Sequence, residues 1–132
     1  MLGGGSNRTI GKGVTEFANN ETKGTNYTDY EGSLVQTYVN AYNTKLLEFG
    51  LEPKEVSLIS KEELDILYGS TLEQGALDSW APEWLDSSSY WTKTYFYGNN
   101  IYRIVTDNGL YGSAYSAYHG VRPVVYISVD EI

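Results

Sequence analysis

The sequence predicts an α+β domain with its helices early in the chain and its strands late. Three observations predict it. Apolar residues between Leu34 and Phe49 recur at the spacing of a one-faced helix. Ser60-Lys61-Glu62-Glu63 is a capping box that opens a second, shorter helix. From Tyr90 onward the chain alternates and turns as antiparallel strands do. A run of helices followed by a run of strands is the α+β pattern, and 132 residues suit one domain with one core.

Residues 1–26 are rich in Gly, Asn and Thr and lack sustained periodicity, so they read as a flexible lead or linker, with the folded domain spanning 27–132. In the first helix, Leu34, Val35, Tyr38, Val39, Tyr42, Leu46 and Phe49 draw one stripe. Ser33 is its natural N-cap and Gly50 its natural stop. Val56–Ile59 is a short β-like run. The second helix is expected over Lys61–Tyr68, ending at Gly69. Its paired Glu62 and Glu63 sit in a first turn, where the helix dipole favours acids, and need no catalytic role. Residues 70–89 read as a long loop anchored by Leu77, Trp80 and Trp84.

The β half begins with Tyr90–Tyr97. Trp91, Lys93, Tyr95 and Tyr97 lie on one face, and Tyr90, Thr92, Thr94 and Phe96 on the other. Gly98-Asn99-Asn100 turns the chain into a second strand, Ile101–Thr106. Asp107-Asn108-Gly109 is another turn, Leu110–His119 has no clear period, and Val121–Val129 is a last strand. Pro123 near the start of that strand points to an edge or a bulge.

Composition excludes several function classes. A net charge of −8, with nine Lys and Arg scattered singly, argues against nucleic acid and anionic membrane as partners. The absence of cysteine excludes disulfides, thiolate zinc sites and thiol catalysis. No stretch of apolar residues is long enough to span a membrane. The single histidine, His119, has no nucleophile-elbow serine to serve, and a histidine metal site wants further ligands. Gly11-Lys12-Gly13 lacks the spacing of a phosphate loop, and Asp107-Asn108-Gly109 lacks the rest of a calcium loop. No cofactor or metal is therefore expected.

The informative stretch is 95–120. It holds Tyr95, Tyr97, Tyr102, Tyr111, Tyr115 and Tyr118, interleaved with Asn, Ser and Gly, and only Arg103 and Asp107 carry charge. Tyrosine gives large contact area at low entropic cost, while Asn and Ser supply adaptable hydrogen bonds. Tyr97, Asn99, Asn100, Asn108, Tyr111, Tyr115 and Tyr118 are the expected ligand-binding residues. The plainer alternative is a tyrosine-rich sheet with small residues at its turns.

The helix beginning Tyr30-Glu31-Gly32-Ser33, the strand Tyr90-Trp91-Thr92-Lys93-Thr94 and the ending Gly120-Val121-Arg122-Pro123-Val124 together resemble a bacterial and phage domain of uncharacterised function. That domain is similar to the formylglycine-generating-enzyme branch of the C-type lectin fold, and the resemblance covers about residues 27–128. It implies two N-terminal helices packed on a small, twisted, mainly antiparallel sheet with long irregular loops. It also implies structural roles for Trp91 and Arg122, with the guanidinium packed near Trp91. Formylglycine-generating activity needs cysteines that this chain lacks. The Glu-Pro-Asn or Gln-Pro-Asp motifs of calcium-dependent lectins are also missing, since Glu52-Pro53-Lys54 and Ala81-Pro82-Glu83 do not match.

The resulting expectation is a non-catalytic, calcium-independent ligand-binding or adhesion module on a bacterial surface or phage particle, its partner a protein or glycan on a cell surface. Any signal or anchor would lie outside this chain. The alternatives are a structural subunit of a surface or phage assembly and, third, an enzyme such as a glycoside hydrolase.

Overall fold

The computed structural model describes residues 14–68, 85, 88–105 and 109–128. Helix α1 spans Leu34–Glu48. The Ser33 hydroxyl accepts from the Gln36 amide at 3.1 Å, satisfying one of the helix's unpaired first-turn N–H groups. The Gln36 side chain turns back, accepting from the Gly32 amide at 2.7 Å and donating to Glu31 at 2.8 Å. At the other end Gly50 adopts φ +86°, a conformation that L side chains resist. The Gly50 amide donates to Leu47 and the Leu51 amide to Leu46, both at 3.0 Å. That pair of bonds is a Schellman closure, and it makes Phe49 the C-cap rather than the last helical residue.

Helix α2 spans Lys61–Tyr68, and its capping box is reciprocal. The Glu63 amide donates to Ser60 Oγ at 3.0 Å, and the Ser60 amide donates to Glu63 Oε1 at 2.9 Å. Glu63 also accepts from the Tyr126 hydroxyl, which ties the helix to the end of the chain. Burial pushes the Glu63 carboxyl up, but the bonds from Tyr126 and Ser60 and the nearby Lys93 charge outweigh it and hold the group below its ordinary 4.5. A carboxylate held low in the folded state stabilises the fold above that value and loses its contribution as pH falls through the folded value. Glu63→Gln is expected to cost about 1 kcal/mol at pH 7. Urea unfolding should then show a shallower acid loss below pH 4.5 than in the parent; parallel curves would refute a charged cap.

Strand β1, Glu55–Ser57, pairs antiparallel with β5, Val124–Tyr126, in a two-stranded sheet. Strand β5 is shorter than the expected Val121–Val129. Pro123 has no N–H to donate, so pairing starts after it, and residues 129–132 lie outside the described residues. The second sheet is antiparallel in the order β2–β3–β4: Tyr90–Tyr95, Asn100–Val105 and Gly109–Ala114. Strand β4 has no sequence period because Gly109, Gly112, Ser113 and Ala114 are weak strand formers, and its six-residue ladder with β3 defines it. Gly112 leaves room for Phe96, since a Cβ there would stand 2.2 Å from the Phe96 ring.

The β2–β3–β4 sheet separates two apolar clusters. Phe17, Val35, Val39, Leu58, Trp91 and Ile101 lie in one, and Ile59, Leu64, Leu85, Tyr90, Ile104 and Leu110 form the other. Tyr90 and Trp91 thus face opposite ways, as successive strand residues must. Thr92, on the Tyr90 face, is buried too, with its hydroxyl donating to Tyr102 O at 2.8 Å, and the ladder then shifts register between Trp91 and Tyr95. The outer side of β2 is not left bare. The Trp91 amide donates to Gly120 O at 3.0 Å and the Lys93 amide to Ile59 O at 3.1 Å.

The small α+β domain with antiparallel sheets is as expected, and three expectations need correction. The helices are not both N-terminal, because the β-like run between them is drawn into pairing with β5 near the end of the described chain. Residues 14–26 are not a loose lead. Val14, Phe17 and Ala18 are buried, Thr15 and His119 exchange amide bonds at 2.9 and 3.0 Å, and the Phe17 amide donates to Tyr115 O at 2.9 Å. Arg122 packs on Tyr90 rather than Trp91, its guanidinium 4.7 Å from the Tyr90 ring centre and its Nη1 donating to Leu85 O at 3.3 Å. Strand alternation puts Trp91 on the other side, where its Nε1 donates to Thr15 O at 2.9 Å. The expected anchors Leu77, Trp80 and Trp84 lie outside the described residues.

Candidate functional site

The turn between β2 and β3 forms a projecting tip. Gly98 takes φ +60°, which reverses the chain, and the Asn100 amide closes the turn on Tyr97 O at 2.9 Å. The Tyr115 amide donates to Asn99 O at 3.0 Å and steadies the tip from the segment after β4. Tyr95 and Tyr97 remain 52% and 66% exposed, far more than bulky side chains that serve a core, and Asn99 is exposed beside them.

A second loop faces this tip. The Asn26 amide donates to Asp29 Oδ2 at 2.8 Å, and the Asp29 amide donates to Asn26 O at 3.2 Å, which closes a tight turn. Tyr27 stacks on Tyr115, with ring centres 4.3 Å apart and planes 14° from parallel. Lys23 Nζ lies 4.4 Å from the Tyr27 ring centre, and the Tyr27 hydroxyl donates to Asn20. Between tip and loop is an open cleft of about 530 Å³, lined by Asn26, Tyr27, Asp29, Tyr95, Gly98 and Asn99 among others.

The expected binding residues therefore divide. Asn99 lines the cleft, Tyr97 stands on the tip beside it, and half-buried Asn100 begins β3. Tyr115 supports the cleft from beneath Tyr27 and packs against the first apolar cluster. Tyr111 does not join them. It pairs with Arg103, three ladder positions from the Asn100–Ala114 pair, or roughly 10 Å along the strand. Tyr118 is half-buried just before His119, and Asn108 lies outside the described residues. Asn26, Tyr27, Asp29 and Tyr95 were absent from the expected set. The one signal for the loop was its Asn and Asp three residues apart, a turn spacing inside a segment otherwise without pattern.

His119 is 4% exposed, edge-on to Trp91 at 4.6 Å between ring centres. Its Nε2 lies 2.9 Å from Ser113 Oγ and 3.2 Å from Arg103 Nη1. A guanidinium can only donate, so it engages the lone pair that a general base would need to take a proton from serine. This arrangement fits a histidine that orders the sheet face. Among the described residues no group of three or more His, Cys, Asp or Glu gathers as a metal site, and no helix is long and apolar enough to cross a membrane. Compared with protein-family models, curated proteins and solved structures, the chain matches none.

Proposed function

We propose that the chain is a non-catalytic ligand-binding or adhesion module that takes a glycan in the cleft between the 95–99 tip and the 26–29 loop, without a metal ion. The observation that carries this reading is the meeting of tyrosines with amide and carboxylate side chains across one open cleft. Its 530 Å³ falls within the range of small-ligand sites, roughly 300–1,000 Å³. Tyrosine rings offer an apolar face for the C–H side of a sugar ring, and Asn26, Asp29 and Asn99 offer acceptors and donors for its hydroxyls. The tip is held by backbone bonds on both sides, so less order remains to be imposed when ligand binds.

A C-type lectin-like arrangement of the fold, and display on a bacterial surface or phage particle, belong to the same proposal. Supporting it are the Trp-bearing hairpin and a last strand that pairs back to β1. A second reading, a subunit packed against its neighbours, is favoured by a different observation. Phe49 is 82% exposed, with Leu47, Leu51 and Ile127 also more than half exposed nearby in sequence or around one apolar groove.

Labelled protein incubated with glycan arrays, with and without EDTA, tests the first reading. Binding is expected to survive EDTA, to fall at least about tenfold in Tyr95→Ala/Asn99→Ala, and to persist in Tyr111→Ala. Retention by the double variant, loss with EDTA, or no glycan bound would overturn it. Concentration-dependent association in sedimentation would then put the packing subunit first.

A further inference from the structure

A second cleft, separate in its residues from the glycan site, opens between the start of α1, strand β1 and Lys93, with a volume of about 420 Å³. One part of its lining presents hydrogen-bond donors. Lys93 Nζ donates to Ser57 Oγ at 3.3 Å, and Ser57 is only 3% exposed. Among the described residues no carboxylate lies within 4.0 Å of that ammonium. The Tyr30 hydroxyl is buried and makes no well-formed hydrogen bond, although the Ser57 hydroxyl is beside it. Burial, reinforced by the Glu31 and Glu55 charges, raises the pKa of this phenol, so it stays a neutral donor. With Ser57 Oγ already accepting from Lys93, the phenol proton has no well-formed acceptor among the described residues.

Another part of the lining has the opposite character. Glu31 and Glu55 contribute exposed carboxylates, with the Asn40 amide alongside. Glu31 is held in position by the bond from Gln36 at 2.8 Å. A lone anion would meet Lys93, Ser57 and Tyr30 but also two carboxylates, and a lone cation would meet the reverse. A molecule with a carboxylate and an ammonium answers both halves.

We propose that this cleft binds a small zwitterion of the amino-acid class, its carboxylate received by Lys93, Ser57 and Tyr30 and its ammonium by Glu31 and Glu55. The buried Tyr30 hydroxyl then gains an acceptor, and Lys93, which otherwise has only the more distant Glu63 carboxylate for compensation, gains a carboxylate in direct contact.

The test is an NMR titration of the whole chain with ω-amino acids of increasing length, from glycine to 6-aminohexanoate, each compared with its N-acetyl and carboxamide forms. Saturable shifts are expected at Ser57 and Lys93 for at least one length, with blocking either end weakening binding at least about tenfold. Lys93→Met should remove the response by a similar factor. Tyr30→Phe, which deletes only a hydroxyl and keeps the ring, should weaken it severalfold and serves if the lysine variant fails to fold. No saturable shift with any length, equal binding of a blocked form, or full binding by Tyr30→Phe and any folded Lys93→Met would overturn the proposal.

Discussion

Trp91→Ala is expected to remove a large share of the domain's stability. Trp91 is fully buried, packs edge-on with Phe17 at 5.4 Å and His119 at 4.6 Å, and donates its indole N–H to Thr15. Truncating a buried aromatic costs about 3–5 kcal/mol, against a total of roughly 5–15 for a natural domain. The loss should appear in thermal melts as a fall of roughly 10–20 °C, or as no cooperative transition. Trp91→Phe keeps most of the volume and removes only the indole bond to the Thr15 carbonyl, which still accepts from the His119 amide, and should cost about 1 kcal/mol. A Trp91→Ala protein that melted within a few degrees of the parent would mean that the Trp91 cluster is not the centre of the core.

Gly24→Ala should damage the proposed glycan site more than any other substitution outside its lining. A Cβ on Gly24 would stand 2.2 Å from the Glu31 carbonyl oxygen and 2.7 Å from Asp29 Cβ. Neither atom can swing aside as a side-chain tip can, so the 24–32 loop must open, and it carries Asn26, Tyr27 and Asp29. Gly32 shows the same tightness from the other side: at φ +87° its own Cβ would lie 2.9 Å from Gly24 Cα. The expected cost is about 1–3 kcal/mol of stability, with glycan binding weakened more than about tenfold. Gly50→Ala is the matched control. It meets nothing within 4 Å but keeps a positive φ, so it should cost about 1 kcal/mol and leave binding unchanged. Equal binding by Gly24→Ala and the parent would detach the 26–29 loop from the site.

Features specified by neighbours in sequence were legible before the structure. Ser33, Gly50 and the Ser60–Glu63 pair act within one helical turn, so the limits of α1 and α2 could be read to within a residue. Gly98 marked the hairpin for the same reason. Features specified by distant partners were not legible. Phe17 is buried because Tyr115 and the segment ending at His119 hold its backbone, and nothing near Phe17 announces that. Strand β4 owes its conformation to β3. The apolar stripe that begins in α1 is wider than the surface it buries: Val35 and Val39 are buried, but Tyr38 and the C-cap Phe49 are exposed, because periodicity shows which face is apolar and not how much of it is covered. For the candidate site, the turn residues Gly98 and Asn99 were identifiable. Tyr27 and Asp29 were not, since they reach the tip only when the 14–33 segment folds over the core.

The bonds that Gly120 and Ile59 receive from the outer side of β2 have a consequence for how partners recognise this domain. An unpaired sheet margin is a template on which a foreign peptide can add itself as another strand, reading backbone more than side chains. Along β2 that template is already occupied in part, at Trp91 and Lys93. Recognition through the adjoining tip must therefore be written in side chains. Such an interface can change its specificity by point substitution at exposed tip positions while the hairpin beneath keeps its register.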